Sequence, residues 1–256
     1  MKNKKKLTFK IFAGIVAVAL SVCIPFVTNA FVGNPISQRM ATKAIKQYVD
    51  LNYSSLDLEI EKTSYDFKFG EYVAMAKSKT SIDTKFAIHY HGGKVQSDDY
   101  ESHVLSMFNT SIRIPDEYSA IARNLVAKEL GYDKNTTMVN FNKDESGKLY
   151  DALKLDMKFN KSLFISPEVV IRLDLGENSM DVIAKILTDA HKVFVENDCN
   201  FVKYGLYIQN SDMYYVDVNN VTPADIESGK LTNLLKKAKT NRSGSGMSVL
   251  IKEKKK

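Results

Sequence analysis

"KFAIHYHGGKVQ", residues 85–96, is the stretch on which the reading of the fold turns. Phe86, Ile88 and Tyr90 alternate with Lys85, Ala87, His89 and His91, so the two sets point to opposite faces of an extended chain. Gly92 and Gly93 follow, and both central residues of a tight type I′ turn need positive φ, which glycine adopts freely. Lys94, Val95 and Gln96 then open a returning strand. The stretch predicts an antiparallel hairpin with one apolar face that something must cover.

The cover comes from upstream. Met40, Ala41, Ala44, Ile45, Tyr48 and Val49 recur at helical spacing, with Ser37 as an N-cap, after Gly33-Asn34-Pro35 has broken whatever precedes it. Between this helix, which runs to about Leu51, and the hairpin lie further strands. Leu56, Leu58 and Ile60 alternate with acids, Tyr65, Phe67 and Phe69 alternate with Asp66 and Lys68, Gly70 marks a turn, and residues 71–78 return. A helix laid on an antiparallel meander is an α+β layer.

Downstream, residues 99–130 read as helical in two pieces, the second opened by Pro115 and stopped by Gly131. A polar bridge, "DKNTTMVNFNKDESGK" (133–148), puts a boundary near 131–148. Strands at 150–159 and 169–175 lead to a helix capped by Asn178 or Ser179 and to a hairpin of 201–209 with 213–218. Thr222-Pro223 then starts a last helix reaching about Lys239. The expected architecture is a basic tail (1–10), an apolar anchor (11–32), an N-terminal α+β domain (33–131), a C-terminal α+β domain (148–240), both with antiparallel sheets, and a loosely ordered basic tail (241–256).

Charge is distributed unevenly over the 256 residues. The first ten carry five lysines and no acid, and residues 230–256 carry nine bases against Glu253 alone. The acidic middle outweighs its bases, so the net +6 resides at the ends. A nucleic-acid reader would gather its bases on a folded face, so no nucleic-acid partner is expected. After the N-terminal lysines, residues 11–32 hold no charge; at 1.5 Å per residue a helix of this length crosses a hydrocarbon core of roughly 30 Å. The lysines predict a single-pass cell-membrane protein with a cytoplasmic N-terminus and an extracytoplasmic body. The alternatives are a secreted protein cleaved near Ala30, and a lipoprotein modified at Cys23, which Val22 disfavours. Cys23 and Cys199 are too differently placed to form a disulfide within the body.

Three segments in this order, "GNPISQRMATKAIKQYVD" (33–50), "LDLEIEKTSYDFKFGEYVA" (56–74) and "SKTSIDTKFAIHYHGGKVQSDDY" (78–100), behind a lysine-led anchor, resemble the YfjL-like family. The resemblance is strongest in the N-terminal half. It implies a bacterial, membrane-anchored envelope protein of two small α+β domains, and it brings no catalytic residues with it. The helix-plus-curled-sheet opening is also similar to PepSY- or cystatin-like modules, at the level of fold alone.

The candidate chemistry is sparse. His89 and His91 share a strand face and could bind one metal, with His103 and Asp98 or Asp99 completing the set, yet they stand on the solvated side of the strand and lack a helical metal motif. Residues 140–151 offer calcium-loop oxygens at Asn140, Asn142, Asp144 and Asp151, but Glu145 stands where the turn needs glycine. Cys199 has no basic neighbour in sequence to stabilise a thiolate, and no G-x-S-x-G, Walker or dinucleotide motif occurs. With thirteen Tyr, thirteen Phe and no Trp, the strands are aromatic and mostly core. The expectation is therefore no catalytic, cofactor or metal site. A non-catalytic module remains, bound to the membrane by its N-terminal helix and to a protein, peptide or cell-wall partner by its sheet. The alternatives are a metal-assisted hydrolase using His89 and His91, or a protease-inhibitor-like module.

Overall fold

The computed structural model describes residues 2–141, 152–161, 166–176, 179–210, 214–239 and 246–253. The chain divides into two compact units, Met1–Asn109 and Thr110–Lys256. Each has its own hydrophobic core, and the two cores share no residue.

The first unit opens with helix α1 (Lys2–Val32). Its apolar part, from Phe12 on, has a mean hydropathy of 2.3 over 18 residues, none of them buried. This is a helix long and apolar enough to cross a membrane. Gly33, at φ 71°, ends it, with its N–H donating to the Asn29 carbonyl at 3.0 Å. Helix α2 (Pro35–Asn52) begins at once. Its cap is Asn34 rather than the expected Ser37: the Asn34 side chain accepts from the Ser37 N–H at 2.7 Å, and Pro35 takes the first helical position instead of blocking it.

Helix α2 buries Ala41, Ile45 and Val49 against Ala74, Ala76, Phe86, Ile88 and Tyr90 of an antiparallel sheet. The strands are β1 (Leu58–Ile60), β2 (Ser64–Asp66), β3 (Glu71–Ser78), β4 (Lys85–His91) and β5 (Lys94–Asp98). β1 and β2 pair in succession with the same edge of β3, which pairs on its other edge with β4, and β4 with β5. Gly92 and Gly93, at φ 59° and 89°, form the β4–β5 turn as the sequence predicts. Phe67 and Phe69 are not strand residues. The Gly70 N–H donates to the Asp66 carbonyl at 2.8 Å and the Asp66 carboxylate accepts from the Lys68 N–H, so 67–70 is the turn between β2 and β3.

After β5 comes a π-helical segment, Tyr100–Leu105, and then Met107 at φ 61° breaks the chain. The expected break at Pro115 does not occur, because helix α3 (Phe108–Leu130) runs through it. The unit boundary accordingly falls at 109/110 and not at 131–148: Tyr118, Ala122 and Val126 of α3 lie in the second core.

The second unit's sheet has the order β10-β9-β8-β7-β6, from β6 (Met138–Phe141), β7 (Pro167–Asp174), β8 (Lys203–Asn210), β9 (Tyr214–Val221) and β10 (Ser248–Glu253). Four differences from the expectation stand out. β7 and β8 are parallel, because helix α4 (Met180–Glu196), capped by Ser179, carries the chain back across the sheet between them. Residues 153–160 form no strand. Residues 248–253, expected to be loose, form an edge strand whose Val249 and Ile251 pair with Val218 and Val216. The predicted last helix is two short ones, α5 (Pro223–Glu227) and α6 (Leu231–Ala238), separated where Gly229 takes φ 67°. Ile183, Leu187, Ala190 and Phe194 of α4 pack on Val169, Ile171, Leu206 and Ile208, and Leu231 and Leu235 of α6 complete the layer.

The α1–α2 junction is tightly built. A Cβ on Gly33 would lie 2.7 Å from Tyr65 Cγ and 2.7 Å from the Tyr72 hydroxyl. The Tyr72 hydroxyl in turn accepts from the Asn34 N–H at 2.8 Å and donates to the Asn34 carbonyl at 3.1 Å. Gly33→Ala therefore suffers both the left-handed backbone penalty, about 1–2 kcal/mol, and a clash. Gly131→Ala, at φ 76° with open space around it, suffers the first alone. In denaturant melts of the full chain Gly33→Ala is expected to lose more stability than Gly131→Ala, and equal losses would show that the junction is loose.

Candidate functional site

Glu71, His89, Asp98, Asp99 and His103 of the first unit gather near the end of β5, and they divide between the two faces of its sheet. His89 pairs with Val73 on β3 and with Ser97 on β5. Glu71 and Asp99 are thus diagonal neighbours of His89 on the same face, within reach of its ring. Glu71 Oε1 lies 2.9 Å from His89 Nδ1, and Asp99 Oδ2 lies 3.4 Å from Nε2. His103, on the π-helical segment, comes within 3.6 Å of the same Asp99 oxygen and stacks on Phe108 at 4.9 Å. Carboxylate oxygens only accept, so His89 serves both neighbours with an N–H only as imidazolium. Its partial burial opposes the charge, but Glu71 and Asp99 outweigh that opposition, and the His89 pKa lies above its ordinary 6.5.

This geometry departs, at His89, from the solvated strand face expected. His89 is three-quarters enclosed between two carboxylates, and His91 points elsewhere, its Nδ1 donating to the Gly70 carbonyl at 3.0 Å. The two histidines do not converge on a point. Among the described residues no three His, Cys, Asp or Glu side chains are grouped as a metal ion would require.

Asp98 faces the other way, into the aromatic packing beneath α2. Its Oδ2 accepts from the Tyr48 hydroxyl at 2.6 Å and the Tyr53 hydroxyl at 2.8 Å, and its Oδ1 from the Tyr100 N–H at 2.9 Å. The Tyr53 ring packs 5.0 Å from both Phe86 and Tyr100. The hydrogen bond to Asp98, then burial, pushes the Tyr48 pKa up; burial, then Asp98, does the same for Tyr53. The neighbours Asp98 and Asp99 thus serve opposite faces, as adjacent residues of an extended chain must.

In the second unit, His191 of α4 lies between the Tyr204 hydroxyl (2.8 Å) and Glu227 Oε1 (3.1 Å). Cys199 is buried, and desolvation pushes its thiol pKa up, which holds it as the poorly nucleophilic thiol. The calcium-like run 140–151 lies outside the described residues after Phe141. The sequence reading missed Glu71, Tyr48, Tyr53, His191, Tyr204 and Glu227. Only Glu71 carried a signal, the register of β3 on β4, and that depends on the length of an intervening loop.

Two outcomes test this arrangement. A group whose folded pKa is raised stabilises the fold fully below its unfolded pKa and loses that effect as pH rises through the folded value. Stability should therefore fall from about pH 6.5 upward through the raised His89 value, and His89→Gln should flatten that part of the profile in melts across the range. Asp98→Ala strands two tyrosine hydroxyls and should cost about 1–2 kcal/mol in urea unfolding.

Two family models match the chain. The YfjL-like N-terminal domain covers residues 8–99 and the YfjL-like C-terminal domain covers residues 117–236. No curated protein and no solved structure matches. The first match includes α1 from Thr8 on, the α2 layer, the hairpin and the Glu71–His89–Asp99 row, and the second includes most of α3, the parallel β7–α4–β8 crossover and α6 as far as Lys236. The chain belongs to the YfjL-like family.

Proposed function

We propose that this is a single-pass envelope protein with a cytoplasmic lysine-rich start and both α+β units outside, acting by binding a protein, peptide or wall component without catalysis. The observation that carries the reading is α1. Five lysines precede a charge-free run, and its apolar window is wholly uncovered by the rest of the chain. An apolar window left unburied in this way needs a hydrocarbon solvent, and lysines hold their end on the cytoplasmic side. The tyrosine-gripped Asn34 then sets the first unit directly at the helix end.

Non-catalysis is supported by what the reactive groups already do. His89 is bound to two carboxylates, Asp98 to two tyrosines and a backbone N–H, His191 to a tyrosine and a glutamate, and Cys199 is a buried thiol. Each is committed to holding its own fold.

The test is topological. In a Cys23→Ser background, Lys192→Cys places an exposed thiol on α4. A membrane-impermeant maleimide should label it in intact cells as fully as after lysis. Labelling only after lysis would overturn the extracytoplasmic assignment. Photo-crosslinking of the full chain in the same cells then identifies what it holds.

A further inference from the structure

The turn between β2 and β3 reads Phe67-Lys68-Phe69-Gly70, and its two rings are 62% and 65% exposed. Two large aromatics at a tight turn contribute little to the core they stand outside, and a soluble domain has reason to avoid them. Their position explains them. The Phe67 ring lies 5.9 Å from that of Phe31, in the last turn of α1, and Val32 beside it is 70% exposed. The turn is therefore continuous with the bare apolar surface of the helix itself.

The attachment is firm from both sides. Tyr65 and Tyr72, on the strands that flank the turn, are the residues against which Gly33 is wedged, and their rings lie 5.0 Å apart. The β4–β5 turn shares this end of the sheet, since His91 reaches the Gly70 carbonyl, and it adds the exposed Lys94. Lys68 sits between the phenylalanines with its ammonium 5.3 Å from the Phe69 ring. Aromatic rings at headgroup depth with a lysine reaching back to the phosphates is the chemistry of a membrane interface.

We infer that the Phe67-Lys68-Phe69 turn is a second membrane contact, inserting its rings into the phospholipid leaflet at the exit of α1 with Lys68 and Lys94 on the lipid phosphates. This rests on the reading of α1 as a membrane span. The first unit is then held to the bilayer at two adjacent points instead of swinging from one, and β3 leads away from the inserted turn. Seven steps along β3 amount to roughly 23 Å, which leaves the β3–β4 loop, with Ile82 65% exposed, well clear of the lipid.

The absence of tryptophan from the chain makes the test direct. Three full-length variants, Phe69→Trp, Val18→Trp and Ile82→Trp, are reconstituted in vesicles of phosphatidylcholine and phosphatidylglycerol, with and without bromine on the acyl chains. The expected result is blue-shifted emission with strong bromolipid quenching for Val18→Trp and Phe69→Trp, and water-like, unquenched emission for Ile82→Trp. Quenching for Val18→Trp with none for Phe69→Trp would overturn the turn insertion while leaving the anchor in place. A blue shift at Phe69→Trp without quenching would mean that protein, such as a second copy of the chain, covers the turn, and would also overturn it. No quenching at Val18→Trp would remove the anchor itself, and the inference with it.

Discussion

One hydroxyl holds both backbone polar atoms of one residue: Tyr72 accepts from the Asn34 N–H and donates to its carbonyl. The geometry of the first unit follows from that grip. It requires the chain to turn out of α1 within a residue, hence glycine at 33 in the left-handed region, and it brings the backbone so near Tyr65 and Tyr72 that no Cβ fits. It also fixes the start of α2. With Asn34 held, the helix starts from a fixed point and presents Ala41, Ile45 and Val49 to Phe86 and Ile88. A flexible linker would have left the helix end and the sheet to be positioned separately, at an entropic cost of about 1–2 kcal/mol for each residue ordered.

The first unit was largely legible because its signals are local. Alternation marked β4, paired glycines marked its turn, and the α2 stripe contained all three residues that helix buries. The misreadings share a cause, competition between patterns. Tyr65, Phe67 and Phe69 alternate like a strand, yet Asp66 and Gly70 close a turn across them, and the backbone follows its hydrogen bonds. Pro35 and Asn34 read as a break, which is also how a helix starts. Pro115 read as a start, yet α3 continues through it while the helical run is interrupted at Met107, a residue with no turn signature.

The second unit was less legible because its organisation is non-local. Strand, helix and strand at β7, α4 and β8 were each visible, but taking the sheet as antiparallel ignored that a helical crossover returns the chain to run parallel. The same limit hid the candidate sites. Glu71 closes on His89 from β3 and Asp99 from just beyond the end of β5, and His191 draws partners 13 and 36 residues away. Polar pairing of this kind is set by register and crossover, which spacing along the chain does not encode. The histidines were the right residues to ask about, and their partners decided the answer.

The C-terminal basic run shows how composition can mislead about order. Lysine-rich ends read as solvated tails, and the sheet instead takes residues 248–253 as its outermost strand. Their charge is compatible with that place. An edge strand exposes unpaired N–H and C=O groups, and charged side chains discourage another chain from adding to it. Val249 supplies the burial, while on the opposite face Lys252 lies 5.6 Å over the ring of Tyr215, which packs 6.0 Å from Tyr207, whose ring Arg172 faces at 5.8 Å. A cation–aromatic–aromatic–cation row thus crosses four strands and ties the lysine of the edge to the interior of the sheet, so the charge that made the segment look disordered helps to order it.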